Sequence, residues 1–217
     1  ILMPLMQYLG VYGRPVPPEG SRFLFALMLL IPGAMMAAMM GLMIIGEEGE
    51  SVWLFFSSPV TARSLVKCKY ALIIIFSCVA TLVCSVVGIL IARPSLDIAV
   101  ALLIESVLLI FALGAVSLGA GIKGADFTEV PRPRMVRPLT AFIYMFLCMV
   151  LASVIFFPLL LHALTMGYIP TPIPVSLPKI ELYIALTISA VTAFIVTFVF
   201  YKIALKNAEE FLIKAEI

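Results

Sequence analysis

Glu105 is the only charged residue inside the five long apolar runs of this 217-residue chain. An ionised carboxyl in hydrocarbon costs a few kcal/mol even on the gentler insertion scales, roughly 3 kcal/mol at a helix centre. Glu105 must therefore face a cavity, find a partner, carry a proton, or reach the lipid edge. His162, the single histidine, occupies another run, at a depth that allows a contact with Glu105. The pair defines a possible substrate path. One histidine cannot build a metal site, and Cys68, Cys78, Cys84 and Cys148 form no CxxC pair, so they read as small buried hydrophobes. A second polar group, Glu47, Glu48 and Glu50, precedes a short aromatic run, VWLFF. Catalytic signatures are missing: no GxxxxGK[ST] phosphate loop, no HExxH and no GxSxG occur. Enzymatic chemistry on this chain is not expected, and any nucleotide hydrolysis belongs to a partner.

The elements that hold these residues are apolar runs at 23–45, 71–92, 98–122, 139–166 and 182–201. A bilayer's hydrocarbon core is about 30 Å thick, which a helix crosses in about 20 residues. With no water at that depth, backbone N–H and C=O groups must pair within the segment, so runs of this length form helices. Composition agrees: 64% of the residues are hydrophobic, 12% are charged and mean hydropathy is +1.21. The expected fold is an all-α polytopic membrane bundle in one domain over 1–217. It has five complete spans and, at 1–10, a truncated span, as in a fragment of a longer protein. A net charge of +2 gives no reason to expect nucleic acid as a partner.

Basic residues retained near the ends of spans mark the cytoplasmic side. Segments 46–70 and 123–138 and the C-terminal tail carry ten of the fourteen Lys and Arg residues, and the alternate segments carry four. The first set is expected in the cytoplasm of a cell membrane. The opposite loops, 11–22 and 167–178, are rich in Pro and Gly, and 93–97 is expected to be a tight turn joining two spans as a hairpin. Gly33, Ala37 and Gly41 recur every fourth residue, and Ala112, Ala115 and Gly119 lie beside Gly114 and Gly121. Small stripes let helices approach closely in lipid, within one bundle or across a dimer seam. Pro32 and Pro158 each remove an intrahelical bond.

The segment 46–70 reads GEEGESVWLFFSSPVTARSLVKCKY. Its aromatic run is too short to span and suits an interface, where Trp53 offers a large rigid surface and one N–H donor. Ser58 can cap a helix that Pro59 would start, leading through Arg63, Lys67 and Lys69 into the second span. Two readings stand: a connector lying on the bilayer surface, or a docking helix for a soluble protein.

The pattern of Glu48, Glu50, Trp53, Leu54, Ser57, Pro59, Arg63 and Lys67 resembles the first cytoplasmic loop of type 2 ATP-binding-cassette (ABC) exporter permeases, in the bacterial and archaeal branch. Gly119, Gly121, Asp126, Phe127, Glu129 and Pro131 resemble its second cytoplasmic loop, with Arg132 and Arg134 following. The resemblance implies a permease, or its C-terminal six-span half, that couples ATP hydrolysis by a partner subunit to export. In that reading 50–57 is the coupling helix, Trp53 and Leu54 make apolar contacts, and Glu47 and Glu48 face basic residues of the ATPase. ATP and Mg would be held by that ABC ATPase subunit. A second permease half, as a homodimer or within a longer chain, and the lipid bilayer complete the expected partners. Two rivals are half of an ion-coupled secondary transporter, resting on Glu105 and His162, and a non-transporting membrane scaffold.

Overall fold

The computed structural model describes residues 18–48, 60–125, 138–166 and 181–213. Within them lie five helices: α1 (Pro18–Met43), α2 (Ala62–Ala92), α3 (Leu96–Gly124), α4 (Pro138–Thr165) and α5 (Leu182–Ile213). The helices α2 to α5 are long and apolar enough to cross a membrane, and the apolar stretch Ile31–Met43 continues α1. Large side chains such as Leu90, Phe142, Phe146 and Phe194 remain exposed around the bundle, as a lipid-facing surface requires. The protein is an all-α, multi-pass membrane bundle.

Several boundaries differ from those expected. Ser58 and Pro59 lie outside the described residues, and the helix leading into the second span is seen to start just after them. Thr61 is the N-cap of α2, in an extended conformation, and its hydroxyl accepts from the Ser64 N–H at 3.3 Å. The helix therefore begins nine residues before the apolar run at 71, well ahead of the hydrophobic signal. The loop expected over 11–22 gives way to helix at Pro18, where proline lacks only an N–H that a first turn leaves unpaired anyway. Helix α5 does not stop at 201. It continues through 32 residues to Ile213, about 48 Å at 1.5 Å per residue and longer than the hydrocarbon core is thick. The extension is amphipathic: Ala204 and Ala208 are buried, whereas Lys206, Glu209 and Glu210 are exposed.

The hairpin expected at 93–97 is present. Arg93 takes the left-handed conformation (φ 46°), and its N–H donates to the Ile89 carbonyl at 3.0 Å. A left-handed residue closing a helix this way satisfies one of the last carbonyls, and Pro94 then blocks continuation. Helix α3 starts two residues later and runs back against α2.

Helix α3 is the centre and packs against all four others. Its neighbours approach through small residues, and the glycine stripes are used inside the bundle. A Cβ on Gly33 would strike the Thr81 hydroxyl of α2, and one on Gly41 would strike the Ser117 side chain of α3. Gly121 faces the α1 backbone, where a Cβ would come to 2.3 Å from the Gly41 carbonyl oxygen. Gly119 lies against Ala204 of α5 with ordinary contact distances of 3.5 Å. Lipid tails are as apolar as leucine, so association relies on such close packing and on interhelical hydrogen bonds. Four of the latter tie the bundle: Ser117 Oγ to Ala37 O (3.0 Å), Tyr70 Oη to Phe111 O (2.8 Å), Asn207 Nδ2 to Gly119 O (2.9 Å) and Ser189 Oγ to Ile155 O (2.7 Å). Pro32 and Pro158 are accommodated within continuous α1 and α4.

A sharp contrast follows. Gly121→Ala is expected to lower bundle stability by about 1–3 kcal/mol, because rigid backbone cannot yield to the added methyl. Gly119→Ala should change it by less than about 0.5 kcal/mol, a typical value for a substitution that breaks nothing. Thermal unfolding of the two variants in the same detergent measures the difference, and equal midpoints would remove the α1–α3 contact from its central role.

Candidate functional site

Two regions bring polar residues together. The first is the end of the bundle where α1 stops, α2 starts, and α3 and α5 end. Ile45, Val66, Leu118, Ile122, Ala204 and Ala208 form a buried core there. Toward mid-bundle, Tyr70 adds edge-to-face contacts with Phe111 of α3 (6.4 Å between ring centroids) and Tyr201 of α5 (5.5 Å). The segments 46–61 and 125–137 both leave from this end.

At its edge a single 3-10 turn covers 46–48. Glu47 on that turn is exposed, and half-buried Glu48 makes an ion pair with Lys69 of α2. The pair joins the acidic turn after α1 to the first part of α2, so both flanks of 49–59 are held by one contact. Glu50, Trp53, Leu54, Ser57 and Pro59 lie outside the described residues, as do Asp126, Phe127, Glu129, Arg132 and Arg134 and the short run at 1–10.

The second region lies inside the apolar part of the bundle. Glu105 is 1% exposed, and neither carboxylate oxygen has a hydrogen-bond partner. Ser189 of α5 stands beside it, but the hydroxyl proton of Ser189 is committed to the Ile155 carbonyl, which leaves Glu105 without a donor. His162 is also buried, at 6% exposure, near the opposite end of the bundle from the acidic turn. The Glu105–His162 contact that their depths allow is not formed as a hydrogen bond, since Glu105 accepts none.

Glu105 instead forms part of the wall of a cavity of about 370 Å³ between α1, α3 and α4, a wall that does not include His162. The cavity exists because α1 and α4 barely touch and α3 spans the gap between them. Leu102, Glu105, Ser106, Leu109 and Leu113 line it from α3, a stripe at helical spacing with Glu105 near one end. Met35 of α1 and Met149 of α4 stand at its edges, 50% and 66% exposed. Ser106, Ser153 and the methionines were not singled out from sequence. The Glu-Ser pair in an apolar run was the available signal, but serines are frequent in membrane helices. Among the described residues no group of three or more His, Cys, Asp or Glu side chains is placed to hold a metal ion.

No protein-family model matches the chain, and no curated protein or solved structure matches it significantly.

The Glu48–Lys69 contact is measurable. It is partly buried, with side-chain exposures of 29% and 13%, so it should exceed a fully solvated pair. A double-mutant cycle with Glu48→Gln and Lys69→Met is expected to give a coupling of about 1 kcal/mol. A coupling of zero in detergent-solubilised protein would mean that the acidic turn is not fastened to α2.

Proposed function

We propose that this chain is the membrane-spanning permease part of an ABC-type exporter, and that its role is transmission. The reading is supported most by the arrangement at one end of the bundle. The acidic turn after α1 is ion-paired to α2, and α1, α2, α3 and α5 share one packed core immediately beneath it. A push on segment 49–59 would then reach α1 and α3, which also line the intramembrane cavity. Such coupling requires the partner to contact the two states of the permease differently, and a loosely tethered loop could not transmit that difference.

In this mechanism a partner ABC ATPase subunit holds ATP and Mg. Two such subunits close on nucleotide, the 50–57 coupling segment moves with its cleft, and α2 acts as the lever. Glu47 and Glu48 lie at the start of the coupling segment, and Trp53 and Leu54 supply its apolar contact. Asp126, Phe127, Glu129, Arg132 and Arg134 form the second contact loop. The basic residues of both loops and the C-terminal tail support a cytoplasmic position for this end, in a cell membrane. A second permease half, from another copy or a longer chain, completes the pathway. The secondary-transporter reading draws on buried Glu105, and its mark would be ion-driven uptake without an ATPase.

Affinity purification of the tagged chain from its native host tests the proposal. A Walker-type ATPase is expected to co-purify. Trp53→Ala or Leu54→Asp should weaken that association at least about tenfold, as loss of an interface anchor does, while the helical content of the bundle stays unchanged. Purified, active assemblies containing no nucleotide hydrolase would overturn it.

A further inference from the structure

The cavity wall is unusual in its hydrogen-bonding sense. Its polar side chains are Glu105, Ser106 and Ser153. The Ser106 hydroxyl donates to the Leu103 carbonyl at 2.8 Å, and the Ser153 hydroxyl donates to the Met149 carbonyl at 2.8 Å. Both serine protons are spent within their own helices, so each serine presents lone pairs only. Glu105, once ionised opposite a cationic guest, is likewise an acceptor on both oxygens. Backbone donors are consumed by helical pairing, and the Cys148 thiol on the wall is a weak donor at most. The wall thus collects acceptors and offers almost no donor.

The complement of such a wall is a group that only donates. An alkylammonium fits: it has three N–H donors, no acceptor, and a positive charge to set against Glu105. The rest of the wall prescribes the body. It is built from Leu, Ile, Ala and Met side chains with one aromatic ring, Phe156. Its volume of about 370 Å³ falls in the range of roughly 300–1,000 Å³ that small-molecule sites occupy. Methionines adapt to irregular apolar shapes, and a cation close to Phe156 would gain from the ring face. Exposed Met35, Ile31 and Met149 form the rim on the flank of the bundle, at the depth of the acyl chains, so a guest arrives from the bilayer.

We infer that this cavity is an intramembrane binding site for lipophilic primary amines, with the alkyl body between α1 and α4 and the ammonium held by Glu105, Ser106 and Ser153. The Glu105 oxygens are covered and lack a donor from the protein, a costly arrangement for a carboxyl at this depth. Rotation of the side chain from its place in the α3 stripe brings the carboxylate to the guest, which supplies the missing donors. As a binding site this stands independently of how transport is energised. It specifies the cargo class only if the permease reading holds.

The test uses the full chain in nanodiscs of zwitterionic phosphatidylcholine, without nucleotide or ATPase, so that its result is separable from the co-purification result. The probe is 1,10-diaminodecane dansylated on one nitrogen, compared with the same molecule acetylated on the other nitrogen. Fluorescence titrations are corrected against empty discs. The free amine is expected to bind about tenfold or more tighter than the acetylated form, the factor that a charge-assisted hydrogen bond supplies. Glu105→Gln should remove that preference and leave the acetylated probe unaffected. Ala152→Phe, which fills the cavity from α4, should weaken both. Equal affinity of the two probes for the unmodified chain, no binding above empty discs, or a preference that survives Glu105→Gln would each overturn the assignment. The first two comparisons need no variant to fold.

Discussion

The close approach of α1 and α3 is the constraint on which the rest of the bundle depends. Gly41 sits against Ser117, Gly121 sits against the Gly41 carbonyl, and Ser117 donates to Ala37 O. In a bilayer no hydrophobic force drives helices together, so contact must come from dispersion between surfaces that fit and from hydrogen bonds across them. Side chains at these positions would hold the two backbones apart. Once α1 and α3 meet, α2 and α5 close around them through Tyr70, Tyr201, Ala204 and Asn207.

Tight contact at one place has a consequence at another. Helix α3 is in contact with every other helix, yet α4 is packed mainly on α3 and α5, and α1 and α4 scarcely meet. The cleft left between them is the cavity. Because α3 forms its floor, a carboxyl on α3 can sit away from lipid, in keeping with the rule that ionisable groups at membrane depth face the interior or a cavity. A shared core joins α1, α2, α3 and α5 at one end, and the open cleft between α1 and α4 lies nearer mid-bundle.

The tail illustrates how an amphipathic segment escapes a hydropathy reading. Residues 202–213 contain Lys202, Lys206, Glu209 and Glu210, which ends the apolar run, but helical geometry does not end with hydropathy. Ala204 and Ala208 recur on one face and bury against Leu118, Val66 and Ile45, so the span continues as a buttress. Similarly, α2 starts at Ala62 because Thr61 caps it, not because lipid begins there. Lys202 lies over the Phe198 ring at 4.3 Å from its centroid, a cation–π contact at the point where the apolar run gives way to charge.

Sequence alone determined that the chain is a multi-pass helical membrane protein. Runs of twenty or more apolar residues admit no other backbone arrangement in hydrocarbon, and that requirement is local to each run. The Arg93–Pro94 turn and the small-residue stripes were legible for the same reason, since steric demands of Gly and Pro are written residue by residue. Tertiary structure alone decided which stripe met which helix, that Glu48 pairs with Lys69 twenty-one residues on, and that Glu105 joins Ser106 and Ser153 rather than His162 around one cavity. Those outcomes depend on the rotation of each helix about its axis, and a uniformly apolar surface leaves that rotation undetermined until close packing selects it.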